Sequence, residues 1–196
     1  MAKSVLIIKG SPRINGNSAA LADQVHAGAE QAGAAVESIN IAEMDIRPCD
    51  ACDVCKENYA GCIVEDDMQS LYPKLIQADV IVLAFPIYFF TINAQMKLLI
   101  DRWYALEDQQ GYLLRGKQLA LVFVYGDSDL YTSGGINAIH TFESLSRYIG
   151  IEITGMVYGT ADKQGDVEKQ PELMSKAFRL GEQIAARQVM TKQKSN

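Results

Sequence analysis

An α/β fold, a parallel sheet covered by helices on both faces, is what the sequence predicts. Apolar segments of strand length alternate with segments of helical periodicity, five of each. Two of the strand segments, residues 80–85 (VIVLAF) and 119–125 (LALVFVY), are apolar throughout, the pattern of strands buried on both sides. The 196 residues suffice for one full core and are few for two, and no linker, repeat or low-complexity stretch divides them. Residues 1–190 are therefore expected to form one domain, with a cysteine-rich insertion at 48–65 and a frayed tail at 191–196.

The elements follow in order. Residues 5–8 (VLII) are a short apolar run ending near Gly10, and residues 18–33 follow with Leu21, Val25 and Ala29 on one helical face. Residues 36–41 supply the second strand. Asp66 and Gln69 have the spacing of a capping box ahead of a helix carrying Leu71, Leu75 and Ile76. The third strand, 80–85, is expected to stop at Pro86, which has no N–H for a ladder. Asn93 stands where it can cap a helix with Met96, Leu99, Ile100 and Trp103 at helical spacing. Trp103 and Tyr104 close that helix, to pack beneath the loop before Leu113 or to meet a partner subunit. Strand 119–125, helix 135–148, strand 151–158 and a last helix with Leu173, Ala177, Leu180 and Ile184 complete the alternation.

In such a sheet, ligands bind beyond the carboxyl ends of the strands. The first loop there, residues 10–18 (GSPRINGNS), opens directly into a helix. Backbone N–H groups, the positive end of the helix dipole, the hydroxyls of Ser11 and Ser18 and the charge of Arg13 suit an anion. It is not a Walker loop, because Gly10 and Gly16 enclose five residues rather than four and Asn17 stands in the lysine position; Gly-x-Gly-x-x-Gly is also absent. The loop after the third strand, residues 86–93 (PIYFFTIN), presents Tyr88, Phe89 and Phe90, whose exposure costs apolar hydration unless something flat covers them. A flavin ring is one such cover, and a neighbouring loop or second subunit is another. The loop after the fourth strand begins Tyr125-Gly126-Asp127, where glycine permits close backbone approach to a ring.

All four cysteines fall in one stretch, spaced Cys49-x2-Cys52-x2-Cys55-x6-Cys62. Such spacing lets thiolates turn toward a common centre, and three readings stand: an iron–sulfur cluster, a tetrahedral zinc, or metal-free thiols. Asp50, Asp53 and Glu57 crowd the segment with negative charge, which would lower the potential of a cluster.

These motifs, with Ala94-Gln95-Met96-Lys97 and Ile100-Asp101-Arg102, resemble the NAD(P)H-dependent FMN reductases of the flavodoxin-like proteins over nearly the whole chain. The cysteine stretch, followed by residues 62–68 (CIVEDDM), is similar to the iron–sulfur flavoprotein branch of that family. The resemblance implies a flavodoxin-like three-layer sandwich with a five-stranded parallel sheet in the order 2-1-3-4-5. It implies noncovalent FMN, with its phosphate at Ser11, Arg13, Asn17 and Ser18 and its ring against Pro86, Ile87, Tyr88, Phe89, Tyr125, Gly126 and Asp127. It further implies a 4Fe-4S cluster on Cys49, Cys52, Cys55 and Cys62, NAD(P)H as reductant, and a homodimer or homotetramer. The implied activity is reduction of a quinone, azo compound, flavin or similar acceptor. The alternative is an electron-transfer module working with ferredoxin-like partners.

Other classes find no support. A formal charge of -6 without clustered Lys and Arg speaks against a general nucleic-acid binder. Gly-x-Ser-x-Gly and His-Glu-x-x-His are absent, and His26 and His140 fall in separate helices as ordinary surface or packing residues. The longest apolar runs are far below the about 18 residues of a membrane span, and the first residues are too few for a signal core, so a cytoplasmic protein is expected. Flavin chemistry needs no side chain as acid or base, so no catalytic residue is named.

Overall fold

A computed structural model describes residues 2–57, 59 and 61–186; the tail expected at 191–196 lies outside the described residues. The chain runs β1 (Ser4–Lys9), α1 (Asn17–Gln31), β2 (Ala35–Asn40), α2 (Val54–Glu57), α3 (Met68–Gln77), β3 (Val80–Tyr88), β4 (Thr91–Ile92) and α4 (Ala94–Arg102). It continues through β5 (Glu107–Asp108), β6 (Gly111–Tyr112), β7 (Gln118–Tyr125), α5 (Gly135–Ile149), β8 (Glu152–Thr160) and α6 (Pro171–Ala186). The parallel ladder is ordered β2-β1-β3-β7-β8, which is the flavodoxin-like order 2-1-3-4-5 once the short strands are set aside. The short strands were not expected: β4 folds back antiparallel on β3, and β5 pairs with β6 as a separate hairpin.

Alternation along the strands sorts the core into two layers. Val5, Ile7, Val80, Val82, Val122 and Val124 face α1 and α6. Leu6, Ile8, Ile81, Leu83, Leu121 and Phe123 face α3, α4 and α5. Helices α1 and α6 approach so closely that a Cβ on Gly28 would lie 2.0 Å from the Phe178 carbonyl oxygen, and one on Gly181 would lie 2.1 Å from that of Val25. On the other face Phe85 stacks on Phe123 with ring centroids 5.5 Å apart and meets Phe142 at the same distance. Trp103 is buried in this layer, which settles its packing role, while Tyr104 stays partly exposed.

Three local expectations are corrected. Pro86 does not end β3, which continues to Tyr88 and pairs Pro86 with Val124 of β7. The β1 ladder has already ended at Ala84, so the missing N–H falls where β3 has one strand neighbour rather than two. Asp66 and Gln69 form only half of the expected capping box: Asp66 Oδ1 accepts the Met68 N–H at 3.0 Å while its carboxylate also pairs with Arg102, but Gln69 Nε2 donates to the Cys62 carbonyl at 2.8 Å and the Val64 carbonyl at 2.7 Å instead of reaching back. Asn93 occupies the position before α4 without capping it, because its side chain donates instead to the Gly10 carbonyl and to Gln95. That bond ties the loop after β1 to the start of α4. Among the described residues no helix is long and apolar enough to cross a membrane.

Candidate functional site

The carboxyl ends of β1, β3, β7 and β8 surround a cleft of about 580 Å³, counting the part open to solvent. The loop after β1 is shaped by its own backbone. The Gly16 N–H donates to the Arg13 carbonyl at 2.9 Å, and the Arg13 N–H to Ser11 Oγ at 3.1 Å. A Cβ on Gly16 would stand 2.9 Å from the Arg13 carbonyl oxygen and 3.0 Å from Ser11 Oγ, so the loop closes this tightly only on glycine. Helix α1 starts directly afterwards, with no side chain capping it and no acid in its first turn. Its leading N–H groups and dipole are left for an anion.

Ser11, Asn17 and Ser18 are buried around this loop, and Arg13 stands exposed at the mouth with Nη1 3.4 Å from the Asp162 carbonyl oxygen. Asn17 is tied to the loop after β8. Its Nδ2 donates to the Lys163 carbonyl at 2.9 Å, and its Oδ1 accepts from the N–H groups of Gly165 at 3.1 Å and Val167 at 3.4 Å. What it offers an anion is its backbone N–H at the helix start.

The opposite wall is formed by Pro86, Ile87 and Tyr88, with Tyr125 and Gly126 beside them. Beyond Tyr88 the chain reverses through Phe89 and Phe90, whose φ angles are 46° and 71°. Positive φ at both central residues is the requirement of a tight hairpin that ordinarily selects Asn-Gly, and aromatic residues there cost of order 1–3 kcal/mol each. Packing against α5 holds the turn. Gly134, at φ 76°, lies so close that its Cβ would be 2.4 Å from Phe90 Cα, and Asn137 Nδ2 donates to the Phe90 carbonyl at 2.9 Å.

The structure thus gathers Ser11, Arg13, Asn17, Ser18, Pro86, Ile87, Tyr88, Tyr125 and Gly126 around one cleft. Phe89, 95% exposed at the hairpin tip, and Asp127 lie outside its lining. Val124, Ala161 and Asp162 were missed. The last two enter because β8 runs to Thr160, beyond the expected end at 158, and the Ala161 N–H bonds the Tyr125 carbonyl at 2.7 Å. An anion site at one end and a flat, partly exposed wall at the other fit the phosphate and ring of FMN.

The four cysteines line a second depression, together with Arg102 and Tyr104. Cys49 and Cys52 are exposed, Cys62 is half-buried and Cys55 is buried. The backbone here is unusual: Ala51, Asp53 and Tyr59 have φ of 56°, 58° and 51°, a region that side chains other than glycine rarely adopt. Burial pushes the Cys55 thiol up, the Lys56 ammonium opposes this, and the other three cysteines raise it further. A single tetrahedral zinc would draw its thiolates to within about 4 Å of one another. Among the described residues, no three His, Cys, Asp or Glu side chains are arranged to grip one ion.

Two cations fasten the segment. Lys56 pairs with Glu107 and lies over the ring of Tyr104 at 3.9 Å and that of Tyr112 at 4.9 Å. Burial and the hydrogen bond with Tyr148 push the Tyr112 hydroxyl up to about 12, so the ring stays neutral under the cation. Arg102, almost wholly buried, pairs with the buried Asp66 and donates through Nη1 to the Arg47 carbonyl at 2.9 Å and through Nη2 to Cys62 Sγ at 3.3 Å. Burial opposes its charge, but Asp66, Tyr72 and Cys62 outweigh that and hold the guanidinium protonated. Its Nε is buried without a partner. One signal for Arg102 was present in the sequence: it stands three residues after Leu99, on the apolar face of its helix, where a charge needs a partner.

Comparison with known proteins agrees with this geometry. Residues 4–150 match the family described as NADPH-dependent FMN reductase. An iron-sulfur flavoprotein of Methanocaldococcus jannaschii is 31% identical over 186 residues, covering 92% of this chain and 95% of that one. A Bacillus subtilis protein named as an NAD(P)H-dependent FMN-containing oxidoreductase is 27% identical over 181 residues, covering 90% and 95%. The solved NAD(P)H:quinone oxidoreductase of Methanothermobacter marburgensis, at 17% identity, shares the fold with a TM-score of 0.74 over 96% of this chain and all of that one. With residues 4–150, most of its length, matched by the family, the chain belongs to the NADPH-dependent FMN reductase family.

Proposed function

We propose that the protein binds FMN in the cleft at the carboxyl edge of the sheet, takes reducing equivalents from NADH or NADPH, and reduces a quinone, azo compound or free flavin. The observation that carries this reading is the uncapped start of α1, with Arg13 beside it, facing a wall that ends in the half-exposed Tyr88. Bound there, FMN supplies the exchange of electrons between nicotinamide and acceptor. The chain's own part is to hold and orient it. The Gly16–Ser18 backbone and the Arg13 guanidinium fix the phosphate end, Tyr88 and Tyr125 cover the ring with apolar surface, and the buried β3 and β7 behind them keep water from that side.

Rapid mixing of the flavin-loaded protein with each nucleotide tests the activity, with bleaching of the visible flavin bands as the expected result. A flavin that stays oxidised at millimolar NADH and NADPH would sink it. Arg13→Ala tests the phosphate assignment. It removes a charge-assisted contact worth about 1.5–3 kcal/mol, so FMN should bind about 10- to 100-fold more weakly at unchanged stability of the flavin-free protein. An unaltered FMN affinity would place the phosphate elsewhere.

A second centre is supported by the shared depression of Cys49, Cys52, Cys55 and Cys62. We read these four residues as the ligands of a 4Fe-4S cluster, which would supply one-electron exchange and open the protein to ferredoxin-like partners. Iron and sulfide assays on anaerobically purified protein decide this; flavin bands without iron would exclude it. The exposed Phe89 and Tyr131 support assembly into a homodimer or homotetramer, to be read by light scattering.

A further inference from the structure

We propose that Arg102 positions the Cys62 thiolate and, through its hydrogen bond and buried charge, raises the reduction potential of the cluster held by the four cysteines. The inference rests on the cluster reading above and goes beyond it by assigning a role to a residue outside the cysteine motif. A buried arginine is costly, and a bidentate carboxylate is its usual compensation. Asp66 provides that here, with Oδ2 at Nη1 and Oδ1 3.2 Å from Nη2. Yet the same Nη2 lies 3.3 Å from Cys62 Sγ, and the residue lines the depression with its Nε unpartnered. Charge pairing with Asp66 does not explain the contact with Cys62; a cluster whose thiolate accepts a hydrogen bond does.

The two ends of the cysteine segment differ in consequence. Cys49 and Cys52 are exposed and flank Asp50 and Asp53, so water and carboxylates surround them. Cys62 meets a cation fixed on three sides, by Asp66, by the Arg47 carbonyl and by the Val64 carbonyl 3.5 Å from Nη2. Each added electron makes a cluster more negative, so a fixed cation stabilises the reduced form more than the oxidised one. Hydrogen bonds to cluster sulfur act in the same direction.

The test uses anaerobically purified protein carrying FMN, as wild type, as Arg102→Lys and as the neutral pair Arg102→Gln with Asp66→Asn. The pair avoids leaving one buried charge alone. Iron and sulfide content is measured first, then the midpoint potentials of cluster and flavin in one redox titration followed by electron paramagnetic resonance. The expected result is a cluster midpoint lowered by about tenfold in the reduction equilibrium in the neutral pair, equivalent to about 59 mV for one electron, and lowered by less in Arg102→Lys, which keeps the charge but loses the bond to Cys62, with the flavin midpoint unmoved. Loss of iron from a variant that stays folded and keeps FMN would also support the positioning role. A loaded neutral pair with the wild-type cluster midpoint would overturn the inference while leaving the cluster itself standing; should that pair not fold, a lysine variant with wild-type midpoint and iron content would overturn it by showing the guanidinium bond to Cys62 to be dispensable. Wild-type protein without iron and sulfide would instead remove the cluster, and this inference with it.

Discussion

The cleft at the carboxyl edge of the sheet and the cysteine depression are built in opposite ways. The cleft is assembled from the ends of strands whose registers are fixed by fully buried ladders, and its anion site is backbone that the fold must place there. The cysteine depression has almost no apolar core of its own: Cys55 is its buried member, and Ile63 beside Cys62 is 56% exposed. Its chain passes through several left-handed residues and is held by two cations: Arg102, which reaches it from the core side, and its own Lys56, which reaches out to Glu107, Tyr104 and Tyr112. Hydrophobic burial is non-directional and tolerant, whereas a polar anchor fails when one partner is lost. The first site is therefore a property of the fold, and the second depends on individual side chains.

The largest expected effect follows from removing the deeper anchor. Both side chains of the Asp66–Arg102 pair are buried, so Asp66→Ala leaves a guanidinium without its counter-charge at a cost of about 3–5 kcal/mol. Urea unfolding should show that loss, with FMN still bound by the folded fraction. Acid dependence gives an independent reading. Burial works to raise the Asp66 pKa, but the hydrogen bonds from Arg102 and the Arg47 N–H prevail and hold it below the usual carboxylate range. The stabilisation is thus complete above about pH 4 and fades as pH falls through the lower folded value. The variant should lose that part of the acid limb; an unchanged limb would mean that the pair contributes nothing.

On the cleft side the weakest element is the aromatic hairpin, and Gly134 is where it can be dislodged. Alanine there must adopt a φ near 76° and push its Cβ into Phe90. A loss of about 1–3 kcal/mol is expected in thermal or chemical unfolding. FMN should also bind more weakly, since Tyr88 precedes the displaced turn. Reduced stability with unaltered FMN affinity would show that the hairpin does not support the ring wall.

This contrast also explains what could be read from the sequence. The sheet and the anion loop were legible because they rest on local patterns: apolar runs such as 80–85, a glycine-bounded loop opening into a helix, and apolar periodicity in α4 and α6; the strand order came from the family resemblance. The cysteines were legible as a spacing. Their anchors were not, because Lys56 meets Glu107 and Tyr112, and Arg102 meets Asp66 and Cys62, only after the chain has folded. The capping box was half legible: Asp66 accepts the Met68 N–H as its spacing suggests, but Gln69 turns back to the Cys62 and Val64 carbonyls of the preceding loop. The hairpin at Phe89 and Phe90 broke the turn rule that would have announced it.

The smallest effect tests the shallower anchor. Lys56 keeps about a fifth of its side chain in water, and its partner Glu107 about a quarter, so their ion pair is worth under about 1 kcal/mol, with a comparable amount from the rings of Tyr104 and Tyr112. Lys56→Met keeps the apolar stem and removes the charge. Global stability should move by no more than about 1 kcal/mol, and FMN affinity should not change, because neither core layer nor cleft contains this residue. The consequence should be local: faster amide exchange in peptides covering residues 49–57, where α2 is a single short turn with little else to hold it. Unchanged exchange there would mean that the strained backbone around Ala51 and Asp53 keeps its shape without the cation, and that Arg102 alone fastens the segment. Faster exchange that spread to β3 or β7 would contradict the division itself, since it would tie the cysteine segment to the stability of the sheet.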